Sequence, residues 1–168
     1  MSGKIRFVNI PRTIKTKLQA PSVLMANVRS VFNKVDEVRL RADKHKTSLI
    51  VLTESWLNAD TPDSAIAIKG YDIIRKDRGS HGGGILCYIQ SGLLFTAFDD
   101  LSPASQAPCD SEVLSVFIET LFLVLIVIYH PFWDNRSAAD NAISCLSSML
   151  DILKHGGTVP LRRLSLKM

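Results

Sequence analysis

Apolar residues fall in short blocks with polar stops, and the spacing within each block names its element. Residues 22–27 (SVLMAN) form an apolar stretch of strand length that ends on a polar side chain. Residues 48–53 (SLIVLT) run without interruption, as expected for a strand covered on both faces. Between them Val31, Val35, Val38 and Ala42 recur at helical spacing, so one helix face should pack inward. Asn33 stands where a helix cap belongs, and Asp36 and Glu37 suit the positive end of the helix. Residues 71–75 and 84–90 read as strands around the loop 76–83, and 98–110, with Pro103 and Pro108, reads as irregular. Residues 113–118 and 122–129 read as an antiparallel pair with a tight turn near Glu119 and Thr120, and Pro131, which has no N–H to donate, ends it. Ala139, Ile143, Leu146, Leu150 and Leu153 trace an amphipathic helix that Gly156 and Gly157 can stop. The order is β-α-β, then several strands, then a helix, which predicts an α/β fold.

Composition narrows this picture. A chain of 168 residues with 46% hydrophobic content suits one domain with a real core. The longest apolar run, 121–129, is far short of the roughly 20 residues that span a bilayer. Residues 1–17 are basic and lack an apolar signal segment, so the expected location is intracellular, nuclear or cytoplasmic, with no membrane partner. Cys87, Cys109 and Cys145 are widely spaced, which predicts reduced thiols and no zinc site. The net charge of +4 is unevenly distributed. The first 46 residues hold eleven Lys/Arg against three Asp/Glu, and residues 47–156 hold six against thirteen. The basic head suits phosphate backbones, and equally a solvated tail and helix face.

Chemistry can sit where polar residues end buried strands. Asn27 follows SVLMA and Glu54 follows SLIVLT. One helical connection between the two strands predicts parallel neighbours whose C-terminal ends lie side by side, the edge at which open α/β sheets bind ligands. A carboxylate and an amide there can hold a hard cation through oxygen. Tyr129 ends a third strand and offers either a phosphate hydrogen bond or a half-buried amphipathic ring. In the loop from Arg75 to Gly84, three glycines allow close backbone approach, and Arg75 and Arg78 can grip phosphate or simply rim a hairpin. Neither a P-loop nor a dinucleotide fingerprint is present.

These pieces come in a particular order: Asn27-Val-Arg-Ser, Asn33-Lys34, Asp36-Glu37, Leu52-Thr-Glu-Ser-Trp-Leu57, Ile68-Lys-Gly-Tyr71, Arg75-Lys-Asp-Arg78, Gly82-Gly-Gly84 and Tyr129-His-Pro131. The ordered set resembles the endonuclease/exonuclease/phosphatase superfamily, and within it the apurinic-endonuclease-like domain of LINE (non-LTR) retrotransposons of the chicken-repeat-1 type. The resemblance runs over about residues 22–154. It implies a four-layer α/β sandwich of two facing sheets flanked by helices. It also implies a Mg²⁺- or Mn²⁺-dependent endonuclease that nicks DNA at the target site, with no small-molecule cofactor besides the metal. Glu54 matches the metal-binding Glu. Asn27 matches the Asn that organises the metal and phosphate site, and Tyr129 the Tyr at the scissile phosphate. Arg29, Arg75 and Arg78 are carried over as DNA contacts.

The chain departs from that pattern near its end. The Gly-Asp-x-Asn motif and the late Asp-His pair of the superfamily are both missing; Asp151 lies inside the predicted helix and His155 at its end, and neither replaces them. The expectation is therefore a basic leader over 1–21, an N-terminal portion of the domain over 22–155 forming an incomplete sandwich, and a non-matching tail over 156–168. Little turnover is expected of such a chain, along with exposed sheet edges and poor solubility. Two other readings stand beside the endonuclease: a non-catalytic, nucleic-acid-binding remnant, and a phosphoesterase of the same superfamily.

Overall fold

The computed structural model describes residues 20–78, 82–98 and 112–130, together with the helical positions Asp140, Ile143 and Ser147. The leader to residue 19, Cys109, Cys145 and the tail 156–168 lie outside the described residues.

The blocks become strands β1 (Val23–Asn27), β2 (Leu49–Thr53), β3 (Tyr71–Lys76), β4 (Ile85–Gln90), β5 (Phe95–Phe98), β6 (Glu112–Ile118) and β7 (Leu123–Tyr129), with helix α1 (Val35–His45) between β1 and β2. Asn33 does not cap α1. The capping position is Lys34, and no side chain bonds the helix end, so the favourable charges of Asp36 and Glu37 act alone there. The short β5 was not evident in the sequence; it pairs antiparallel with the last four residues of β6, from Phe95 opposite Ile118 to Phe98 opposite Ser115.

Two sheets result. One runs β1-β2-β4-β3 and the other β5-β6-β7. β1 and β2 are parallel, as the helical connection predicts, with Asn27 opposite Thr53. Every other pair is antiparallel.

Alternation along β2 explains the layering. Ile50 and Leu52 face α1, where Val31, Val38 and Ala42 join Leu86 and Tyr88 in one core. Leu49 and Val51 face the second sheet: Val51 and Cys87 meet Leu114 and Val127, and Leu49 and Ile89 meet Val116 and Ile118. All five β2 residues are buried, as the unbroken apolar run implied. Tyr88, the largest fully buried side chain, satisfies its hydroxyl by donating to the Ile66 carbonyl at 2.7 Å. Burial pushes the Cys87 thiol up to about 12, so it is an inert core residue.

The edge of this sandwich is less covered. Val23 and Met25, in register with Leu49 and Val51 and so on the face turned to the second sheet, are 53% and 66% exposed. Ile143 is helical but 61% exposed, and Asp140 and Ser147, three and four positions away, share its solvated face. It does not belong to an inward stripe; the rest of that predicted stripe lies outside the described residues. Among the described residues no helix is long and apolar enough to cross a membrane.

Candidate functional site

The C-terminal ends of β1 and β2 do not simply stop. Val28 N donates to Thr53 O at 2.9 Å, Ser30 N to Glu54 O at 2.9 Å, and Val31 N to Ser55 O at 3.1 Å. On the other side Ser55 N donates to Gly84 O at 3.1 Å and Trp56 N to Gly83 O at 2.9 Å. Three chain segments are thus laced together just beyond the strands.

The lacing forces unusual backbone. Arg29, Ser30, Glu54 and Trp56 have φ of +43°, +79°, +56° and +55°. Side-chain-bearing residues avoid this left-handed region, and such strain collects at functional sites. Gly84, at φ +86°, sits so close to Ser55 that an added Cβ would strike the Ser55 hydroxyl oxygen. The close approach expected of the glycine run is therefore real, at least at this position.

Glu54 is the centre of the cluster. Asn27 Nδ2 donates to Glu54 Oε1 at 2.8 Å, and the Tyr129 hydroxyl donates to the same oxygen at 2.9 Å. Three side chains from the ends of three predicted strands meet here, Asn27 from 27 positions and Tyr129 from 75 positions away from Glu54 in the chain. The Asn27 hydrogen bond is the main reason the Glu54 carboxyl titrates below its usual range; partial burial opposes it, and Tyr129, Arg29 and Trp56 add to it. Burial, helped by Glu54, pushes the Tyr129 hydroxyl up to about 12. Near neutral pH the site therefore holds an ionised carboxylate and a protonated phenol.

A prediction follows for the metal-free protein. A carboxylate with a depressed folded pKa contributes stability above its unfolded pKa and loses it as pH falls through the folded value. Asn27→Ala is expected to raise the Glu54 midpoint toward the ordinary value. A side-chain carboxyl NMR titration checks this; an unchanged midpoint would show that Asn27 is not the main stabiliser of the anion.

The arginines divide. Arg29 is exposed beside Glu54. Arg75, expected as a DNA contact, is turned inward: its side chain is 17% exposed, Nη2 donates to Thr61 O at 2.8 Å, and Nε lies 3.3 Å from Asp63 and 3.5 Å from Asp77. Two carboxylates and a carbonyl compete with any phosphate for this guanidinium, so its geometry serves the 58–63 loop instead. Arg78 is also directed inward, its Nε 3.4 Å from Glu112 Oε1.

The sequence reading missed Glu112. It opens β6, is buried, and accepts a 2.6 Å hydrogen bond from Gly84 N on Oε2. Burial pushes its carboxyl up; the Gly84 N–H and Arg78 pull the other way. The one available signal was a charged residue at the head of the apolar run VLSVFI. Trp56, within the motif around Glu54, stands 47% exposed next to the cluster.

No protein-family model matches this chain, and no curated protein matches it. Solved structures do. A 3′-5′ exonuclease from Neisseria meningitidis, NExo, matches at a TM-score of 0.59 and 16% identity, over 80% of this chain and 54% of that one. A Neisseria NExo structure described as a 3′ phosphatase bound to product DNA hairpin matches at 0.58 and 16% identity, over 80% and 53%. An AP endonuclease from Archaeoglobus fulgidus matches at 0.55 and 15% identity, over 76% and 50%. The chain spans about half the length of these structures. It has the two-sheet α/β fold of these structures.

Proposed function

We propose that the Asn27–Glu54–Tyr129 cluster is the cation-binding and phosphate-binding end of a DNA phosphodiesterase site. The observation that carries this reading is the convergence of Asn27 and Tyr129 on one oxygen of Glu54. Such convergence fixes the carboxylate in space and keeps it ionised, as a ligand for a hard cation requires.

The residues present fit Mg²⁺ or Mn²⁺ in a limited way. Glu54 lies at the strand rim with oxygen-bearing neighbours, and Mg²⁺ commonly uses one or two carboxylates and leaves its other positions to water and substrate phosphate. Among the described residues no group of three or more His, Cys, Asp or Glu gathers that could hold a metal, so a cation here would rely on Glu54 together with water and substrate oxygens. A bound cation would neutralise charge on the phosphate and the leaving oxygen. The chain's own groups do the rest. Asn27 orients Glu54, the protonated Tyr129 hydroxyl can turn to a phosphate oxygen, and exposed Arg29 adds positive charge where a backbone would pass.

DNA is the favoured substrate because one structural neighbour holds a product DNA hairpin and another is an AP endonuclease. The ordered residues from Asn27 to Pro131 support the finer reading, a target-site nicking domain of LINE type. These 168 residues contain no Gly-Asp-x-Asn and no Asp-His, the motifs that in the resembled superfamily help to activate water. Loss of a general base costs about 10²–10⁴-fold. The chain should therefore bind DNA in a metal-dependent way and nick it poorly.

A plasmid-relaxation and gel-shift series with Mg²⁺, with and without Glu54→Ala, tests this. Metal-dependent binding lost in the variant, with little nicking, is the expected result. Robust nicking abolished by Glu54→Ala would overturn the weak-turnover part. Binding indifferent to both metal and Glu54 would overturn the site. A second substrate class has one observation in its favour, the match to a mannosyl-6-phosphatase from Bacteroides thetaiotaomicron at a TM-score of 0.55 and 13% identity, over 83% of this chain and 62% of that one. Competition by small sugar phosphates in the same gel shift would favour it.

A further inference from the structure

We propose that Glu112 is a positioning residue for Glu54: its carboxylate pins the Gly83–Gly84 segment, whose carbonyls in turn hold the backbone immediately after Glu54. The proposal rests on the reading of Glu54 as the cation-binding carboxylate.

The connection can be followed bond by bond. Glu112 Oε2 accepts from Gly84 N at 2.6 Å, a short charge-assisted hydrogen bond. An added Cβ on Gly83 would strike Glu112 Oε1, so the carboxylate lies directly against that glycine. Gly84 O accepts from Ser55 N at 3.1 Å, and Gly83 O accepts from Trp56 N at 2.9 Å. Ser55 and Trp56 follow Glu54, which is itself held at φ +56°. The carboxylate thus reaches Glu54 through two parallel backbone links.

Strand register makes the arrangement economical. Glu112 lies directly opposite Tyr129 in the β6–β7 ladder, so both side chains leave the same face of the second sheet. Tyr129 reaches Glu54 Oε1 itself, at 2.9 Å. Glu112 reaches the backbone behind it. One rung of the second sheet therefore fixes both the side chain and the main chain of a residue on the first.

A fold anchor alone would not call for a carboxylate at this place. Glu112 is 8% exposed, and a buried carboxylate is unfavourable unless paired. Its pairing is incomplete: Oε1 has no hydrogen bond, and Arg78 Nε stays at 3.4 Å. An apolar residue, like the Val113 and Leu114 that follow, would fill the strand position without that penalty. What an apolar residue could not do is accept the Gly84 N–H.

Amide hydrogen exchange and Mn²⁺ titration on the 168-residue chain test the proposal together. In Glu112→Ala, protection of the Ser55 and Trp56 amides should fall about tenfold, the equivalent of one lost hydrogen bond, while the β2 amides stay protected. Mn²⁺ affinity should fall about 10–100-fold, the usual effect of removing a partner behind a ligand. Glu112→Gln keeps an oxygen acceptor for Gly84 N–H and should recover most of both. If the alanine variant does not fold, Glu112→Asp, one methylene shorter, should show the same selective loss. Unchanged Ser55 and Trp56 exchange would overturn the proposal, as would an equal loss across β2, the signature of a merely structural role. Selective exchange loss in a protein that binds no Mn²⁺ would uphold the positioning role and overturn the metal reading alone.

Discussion

Glu54→Gly is expected to leave stability unchanged or raise it by up to about 1 kcal/mol, while weakening Mn²⁺ binding by about 100-fold or more. The two halves of this result come from different parts of the residue. Its backbone sits at φ +56°, where an L-residue is strained by roughly 1–2 kcal/mol. Glycine removes that strain and costs roughly 0.5–1 kcal/mol in unfolded-chain entropy. The side chain, only lightly buried, contributes little packing, and the two exposed or part-buried hydrogen bonds it accepts offset only part of the relief. Its loss removes the carboxylate on which Asn27 and Tyr129 converge. The effect on binding should exceed the 10–100-fold typical of residues one step behind a ligand. Urea melts and Mn²⁺ titrations of both proteins check it. A strongly destabilised variant would mean that Glu54 is kept for the fold, not for binding.

Gly84→Ala should act in the opposite sense, lowering stability by about 2–4 kcal/mol and disordering the site. The residue lies at φ +86°, where a side chain costs of order 1–3 kcal/mol. Its new Cβ would also collide with the hydroxyl of fully buried Ser55, and overpacking of this kind costs roughly 1–3 kcal/mol. Ser55 cannot swing aside easily, because its N–H is bonded to Gly84 O and its carbonyl to Val31 N. Denaturant midpoints measure the stability loss. A variant as stable as the parent would show that the segment beyond β2 is looser than this packing implies.

The two glycine changes separate the roles of strain at this rim. At position 84 glycine is needed so that the backbone can approach Ser55. At position 54 a residue that should be glycine on backbone grounds is a glutamate instead. Local rules broken at one residue, with a carboxylate as the result, point to chemistry at that residue.

Much of this was legible in the chain. The unbroken run before Glu54 announced a strand buried on both faces, and the helical link to β1 announced parallel neighbours. Together they placed Asn27 beside Glu54, because strand ends and connection type are local properties. Tyr129 needed the second sheet to fold over the first, and the motif order supplied that where periodicity could not. The fate of Arg75 was not readable. A long cation at the end of a strand looks the same whether it faces solvent or reaches Asp63 twelve residues back, and only tertiary structure brings the 58–63 segment within its reach. Glu112 was hidden for a related reason: its hydrogen-bond partner is a backbone N–H, which leaves no trace in side-chain pattern, and its ion-pair partner Arg78 lies 34 positions back in the chain. The four-residue β5 has too few positions to show alternation.

If Glu54 is the cation ligand, a bound cation must sit at the rim where β1, β2 and β7 end. Line broadening by substoichiometric Mn²⁺ in NMR spectra of the isotopically labelled chain locates it. Resonances of Asn27, Glu54 and Tyr129 are expected to broaden first and together, and Glu54→Gln is expected to abolish the effect. Broadening centred instead on the Asp60–Asp63 loop or on His45, with Asn27, Glu54 and Tyr129 still sharp, would contradict Glu54 as the ligand.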